Sequence, residues 1–254
     1  MSTDRLYGRN PIYEALRAGR RSFHELIVAE GTQETGRLGD ILAMASAGQV
    51  PIHRVPRTHL KAGSGHNQGV EAEVSTYPYT SLDAIMARAD GLDEPPLVLL
   101  LDVLKDPQNL GTLLRTAEAV GVHGVVLPPR RSASVSPAVV SASSGACEHM
   151  LIAQTNLAQA IEQLKGSGAW ISGLESGEGA TPLGQADLTG GMGLVVGSES
   201  DGMRRLVRES CDFLVRIPMR GRVDSLNAAT AGSIVLYAVW AARGYPGIDG
   251  TSDS

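Results

Sequence analysis

Cysteine is almost missing from this chain of 254 residues: Cys147 and Cys211 are all it has. Two thiols cannot build a disulfide framework or a multi-cysteine metal site, and their scarcity points to a reducing, cytoplasmic setting. Aromatics are few as well, with two Phe and two Trp, so the core must come from Val, Leu, Ile and Ala. No apolar run approaches the ~18 residues of a membrane span, and no amino-terminal stretch has the form of an export signal. The familiar turns of nucleotide and hydrolase sites are missing too. No Gly-x-Gly-x-x-Gly follows a strand-like run and Gly-Lys-Ser/Thr occurs nowhere, which speaks against a dinucleotide-dependent oxidoreductase or an ATPase. A Gly-x-Ser-x-Gly nucleophile turn is absent. The six histidines show no i, i+4 pairing, so no metal centre is expected.

The bulk numbers of what remains are ordinary. Hydrophobic residues make up 43% and charged ones 19%, as in a soluble globular protein large enough for one big or two small domains. The net charge of −5 argues mildly against a polyanionic partner, since binders of nucleic acid are usually basic. Its distribution softens that argument. Residues 1–61 hold nine Arg or Lys against six Asp or Glu, while the rest holds thirteen against twenty-one. A basic leading part on an acidic body suits an asymmetric RNA or phosphate binder, and it equally suits chance.

Asn10-Pro11 opens a short amphipathic helix. Strand, helix and strand follow at 25–29, 35–47 and 51–55, a βαβ unit. Residues 63–69 read as a Gly-rich loop and 70–76 as extended chain. We therefore expect an α/β module over 1–76 and a linker with one helix over 77–96. Leu97-Val-Leu-Leu-Leu-Asp102 is the continuous apolar run of a parallel strand buried on both faces. From there to the Ala-rich final helix at 226–243, strands and helices alternate, which specifies a parallel sheet covered on both sides. The second domain is expected over 97–244, and the turn-rich tail 245–254 is expected to be loose.

Three polar patches stand where apolar strands end or helices begin, the junctions at which α/β proteins bind ligands. The first runs from Asn109 through Gly111 to Arg115, about 1.7 helical turns along; an Arg there can hold a phosphate with two hydrogen bonds. The second is Gly197-Ser-Glu199-Ser-Asp-Gly202, a small-residue turn with one carboxylate. The third is Ile217-Pro-Met219, then Arg220-Gly-Arg222, then Ser225-Leu226-Asn227, in which apolar side chains could flank a flat ring. Each patch alone equally fits a helix cap or a solvated charge; three in this order are far less probable.

Together these patches resemble motifs 1, 2 and 3 of the SpoU/TrmH family of S-adenosylmethionine-dependent RNA ribose 2′-O-methyltransferases, over residues 97–242. Asn156-Leu-Ala, Gly202-Met-Arg-Arg-Leu and Ile217-Pro-Met bring the chain close to the RlmB-type branch. Tyr7-Gly-Arg-Asn-Pro-Ile and His66-Asn-Gln-Gly-Val70 are similar to that branch's L30e-like substrate-binding domain, with one residue more in the second stretch. The resemblance implies a trefoil-knotted parallel-sheet (SPOUT) domain behind a small L30e-like α/β domain. It implies S-adenosylmethionine bent in the knot, its adenine met by backbone at Gly197, Ile217 and Leu226. It also implies a homodimer packed through the knot region, with Arg115 able to serve the partner's site, and neither metal nor membrane.

The resemblance assigns the reacting end to Asn109, Arg115, Glu199, Ser225 and Asn227. Arg115 is the family's proposed base, activated by an RNA phosphate; because a guanidinium holds its proton tightly, a phosphate clamp oriented by the other four is the alternative. The expected reaction is methylation of a guanosine 2′-hydroxyl in 23S rRNA. A tRNA substrate, or a non-catalytic role in RNA binding or ribosome assembly, stands beside it.

Overall fold

The computed structural model describes residues 2–61, 67–130, 132–177, 179–198, 202–223 and 225–247. They separate into two units, Met1–Pro78 with Ser134–His149, and Tyr79–Ala133 with Met150–Ser254. Both differ from the expected division at 76 and 96. The stretch expected to link the domains carries a helix whose Leu82 and Ile85 sit in the second unit's core. The segment Ser134–His149, which carries a helix over Pro137–Ala142, belongs to the first unit.

In the first unit, β1 (Thr3–Tyr7), α1 (Arg9–Ala18), β2 (Phe23–Ala29), α2 (Arg37–Ala47), β3 (Ile52–Val55) and β4 (Val70–Ser75) follow in order. Strands β2 and β3 run parallel, with Leu26 opposite Ile52, as the βαβ reading requires. Strand β4 lies antiparallel between β1 and β2, giving the order β1-β4-β2-β3. Leu6, Ile12, Leu26, Leu38, Ile41 and Val74 are fully buried, so one apolar face of each element closes the core. The first strand escapes the sequence pattern because Leu6 is its one buried residue.

Polar groups are buried here as well. Arg21 donates from Nε to Glu148 Oε2 (3.0 Å) and from Nη1 to Asp4 Oδ2 (2.8 Å) and Ser75 O (3.1 Å). Its Nη2 lies 2.9 Å from Glu148 Oε1 as an ion pair without hydrogen-bond alignment. Tyr77 donates its hydroxyl proton to Cys147 O at 3.0 Å, and burial raises its pKa. These bonds hold Ser134–His149 to the body of the unit.

In the second unit, α3 (Leu82–Leu92), β5 (Leu97–Leu101), α4 (Pro107–Ala119) and β6 (Gly124–Leu127) precede the excursion α5 (Pro137–Ala142). There follow β7 (Ile152–Gln154), α6 (Leu157–Gly166), β8 (Trp170–Leu174), β9 (Thr181–Pro182), β10 (Met192–Val196), α7 (Arg205–Glu209), β11 (Phe213–Arg216) and α8 (Ala228–Ala242). Among the described residues the sheet runs β7-β6-β5-β10-β8-β11-β9, with every neighbour parallel. All five residues of β5 and of β10 are buried, as strands covered on both faces must be.

Helices α3 and α6 pack Ile85, Ile161 and Leu164 against Val98, Leu100 and Val195 on one face. Helices α4 and α8 lie together on the other. There a Cβ on Gly232 would stand 2.6 Å from Leu113 Cδ2, so the glycine lets the closing helix pack closely on α4. Beyond α8, Trp240 Nε1 donates to Pro246 O at 3.1 Å and Tyr245 packs edge-on against Trp240. Residues 248–254 lie outside the described residues.

Candidate active site

Strand β10 sits between β5 and β8, so connections diverge at its carboxyl end, where α/β sheets open a crevice. A cleft of about 250 Å³ lies there. Gly197 and Ser198 form its floor; Ile217, Met219, Ser225 and Leu226 stand along its side, and Met203 and Ala231 complete it. Gly197 is buried, and a Cβ on it would fall on the backbone of Gly202 and Met203. The floor therefore needs glycine. Leu226 and Met219 are 39% and 41% exposed, large apolar groups left facing an opening rather than a core.

Sequence-distant patches meet at the cleft's edge. Asn227 is the N-cap of α8: its Oδ1 accepts from Ala229 N (2.9 Å) and Thr230 N (3.2 Å). Its Nδ2 donates to Asn109 Oδ1 at 3.0 Å, across 118 residues of sequence. Asn109 is not itself a cap; Asp106 caps α4 by accepting from Gln108 N, and Asn109 stands in the first turn. Arg115 is exposed on the same helix. Ser225 and Leu226 precede the helix expected to begin at 226, which starts at Ala228. Glu199 lies outside the described residues, as do Ser200, Asp201 and Asp224.

Asp102 is a residue the sequence reading passed over. It is fully buried at the end of β5, and its two oxygens accept from Arg204 N (2.7 Å) and Arg204 Nε (2.6 Å). The signal was visible: a carboxylate closing an uninterrupted apolar strand is the same kind of strand-end polar residue as those in the three patches.

Burial pushes the thiols of Cys147 and Cys211 up to about 12, which keeps them protonated near neutral pH. Among the described residues no group of three or more His, Cys, Asp or Glu could hold a metal ion. Among them also, no helix is long and apolar enough to cross a membrane.

The chain thus forms a parallel α/β sheet with a cleft at its switch point, beside a helix whose N-cap is hydrogen-bonded to the facing helix. The family model described as "SpoU rRNA Methylase family" matches residues 96–237, and "RNA 2'-O ribose methyltransferase substrate binding" matches residues 5–80. The chain belongs to the SpoU methylase family of RNA 2′-O-ribose methyltransferases.

More particularly, it is 40% identical over 244 residues to a protein of Staphylococcus saprophyticus assigned to the TrmH family of tRNA/rRNA methyltransferases, covering 95% of this chain and 97% of that one. YacO of Bacillus subtilis, assigned likewise, is 40% identical over 242 residues, covering 94% and 96%. The fold matches that of the SpoU methyltransferase AviRb from Streptomyces viridochromogenes, solved with AdoMet, at a TM-score of 0.78 and 24% identity over 95% of this chain and 90% of that one. It also matches an AdoMet-bound rRNA methyltransferase from Sinorhizobium meliloti, at 0.74 and 22% over 94% and 87%.

Proposed function

We propose that this protein transfers a methyl group from S-adenosylmethionine to the 2′-hydroxyl of a ribose, at a guanosine of large-subunit rRNA in the cytoplasm. The observation that carries the reading is the Asn227–Asn109 hydrogen bond beside the Gly197 cleft, which joins two of the three patches. The cleft suits the cofactor's adenosine. Ile217, Met219 and Leu226 give apolar walls for a flat ring, and the bare backbone at Gly197 gives polar groups at close range. Bound there, the cofactor supplies a methyl group made electrophilic by its sulfonium.

A ribose hydroxyl is a weak nucleophile, so alignment has to supply much of the rate. Asn109 and Asn227 brace each other, Ser225 stands on the cleft wall, and Glu199 follows the cleft floor in sequence. In this reading Arg115 grips a phosphate next to the target ribose through two of its N–H groups, while the others orient ribose and Arg. Being a poor proton acceptor, a guanidinium orients rather than deprotonates.

The last helix supports a homodimer. Ile234 and Tyr237 are 39% and 53% exposed on α8, an apolar strip suited to a second copy. The reading includes the trefoil knot, with α8 as the closing element, an L30e-like first unit as the substrate-binding part, and Arg115 serving its own or the partner's site. The first unit brings its two quoted stretches together: Arg9 N donates to Gln68 Oε1 at 3.0 Å, and Gly8 N to Val70 O at 3.3 Å.

Relatives assigned to tRNA/rRNA methyltransferases make tRNA the second substrate to test. Transfer of labelled methyl from S-adenosylmethionine to 23S rRNA and to tRNA transcripts, followed by mapping of the modified nucleotide, decides between them. Label on a 23S rRNA guanosine 2′-oxygen is expected. Cofactor binding without transfer to any RNA would leave a non-catalytic RNA-binding factor.

A further inference from the structure

Two more clefts open beside that of Gly197, and their walls are basic on a chain whose net charge is −5. One, of about 480 Å³, is lined by Lys105, Ser132 and Arg204 and shares Ser198 and Gly202 with the Gly197 cleft. The next, of about 630 Å³, is lined by Arg130, Arg204 and Arg205 beside Asn156. Arg204 belongs to both. Among the described residues neither lining contains a carboxylate.

Arg204 is aimed rather than loose. Its backbone N and its Nε both donate to the buried Asp102, while the side chain stays 50% exposed. Among the described residues neither Nη group has an acceptor, and a guanidinium carries two N–H donors on each. The adjoining turn is strained: Val103 has φ +61, a conformation rare for a β-branched residue. It is held there by Ser132 Oγ and Ala133 N, which donate to Leu104 O at 2.9 and 2.8 Å. Backbone strain maintained by surrounding bonds is commonest at ligand sites.

We propose that Lys105 and Arg204, followed by Arg130 and Arg205, hold the phosphates of the RNA strand flanking the methylated ribose, with Asp102 as the positioning residue for Arg204. The inference rests on the methyl-transfer reading and adds the path of the substrate. Phosphate contacts dominate RNA affinity and make it depend on salt. A groove whose described charged residues are all basic, continuous with the cofactor's cleft, is the surface such a strand would follow.

The test uses the full chain with a 23S rRNA transcript, measuring RNA affinity over a range of salt concentrations, S-adenosylmethionine affinity by calorimetry, and methyl transfer. Arg204→Ala is expected to weaken RNA binding about tenfold and to reduce the log–log salt slope by about one. Cofactor affinity should stay unchanged, and Lys105→Ala should behave alike. Asp102→Asn should weaken RNA binding in the wild-type background and have no further effect in Arg204→Ala, whereas a purely structural role would act equally in both. Wild-type affinity and slope in Arg204→Ala would overturn the proposal even if methyl transfer is found. Salt-dependent RNA binding that Arg204→Ala weakens, in a chain that transfers no methyl, would support the phosphate track and sink the proposed reaction instead.

Discussion

In the first unit the strongest polar contacts point inward, whereas in the second the polar residues that line up at one edge stand open to solvent. Arg21 and Glu148 have side chains 0% and 1% exposed and are spent on each other, on Asp4 and on Ser75. Arg115, Ser225 and Asn227 are exposed, and their neighbours are strand ends and helix starts. A buried charge pair specifies how chain segments join; an exposed polar cluster over a packed sheet is within reach of whatever approaches from solvent. Two sets of polar residues in one chain thus have opposite purposes, and burial tells them apart.

The contrast is tested most severely in the first unit. Glu148→Ala leaves the Arg21 guanidinium buried with one partner fewer, and breaking such a pair costs about 3–5 kcal/mol. Urea denaturation should show that loss, while S-adenosylmethionine affinity measured on the folded protein stays within about twofold if the two polar sets are independent. A loss of stability below about 1 kcal/mol would mean that the pair does not hold Ser134–His149 in place.

In the second unit the expected effect is on rate. Asn227→Asp keeps an oxygen for Ala229 N and Thr230 N, and Asp caps helices as well as Asn does. It removes the N–H that reaches Asn109. Methyl transfer should fall about a hundredfold, the order expected from misalignment alone, with the melting temperature unchanged. Asn227→Ala should lose the cap as well, about 1 kcal/mol. Full activity in Asn227→Asp would detach the asparagine pair from the chemistry.

The smallest effect concerns pH. His123 is buried, accepts from Leu97 N at Nδ1 (3.0 Å), and has its Nε2 3.2 Å from Glu94. Burial lowers its pKa below the ordinary 6.5, against the pull of Glu94. Below pH 6.5 the unfolded chain therefore takes up a proton that the folded chain refuses, so this contribution is complete above that pH and is lost as pH falls toward the folded value. Melting temperature between about pH 7.5 and pH 5.5 should fall more in wild type than in His123→Gln; equal falls would refute the assignment.

Much of this architecture was legible in residue order. Periodicity found α2 and α8, the strand at 97–101 and the alternation of strands and helices that follows it, because these elements bury a full face. It missed β1, with one buried residue, and β9, with two residues in all. It could not show that Ser134–His149 joins the first unit, because what binds it there is a pair of charges 127 residues apart. The same limit hid the partnership of Asp102 with Arg204, which exists only once β5 and β10 lie side by side. Asn109 and Asn227 were picked out singly as polar residues at helix starts, and folding turned two separate features into one bonded pair.

Helix α8 is a beam fixed at both ends. Asn227 ties its start to α4, and Arg243 at its finish donates to Pro95 O, Pro96 O and Gly190 O at 2.8, 3.1 and 2.6 Å. The carbonyls belong to the segments that feed β5 and β10, the two middle strands beneath the cleft. A member clamped this way resists swinging outward, and Gly232 leaves it no slack against Leu113. Ala228 and Ala231, which α8 contributes to the lining of the Gly197 cleft, are thereby anchored to the segments that lead into the sheet's two middle strands.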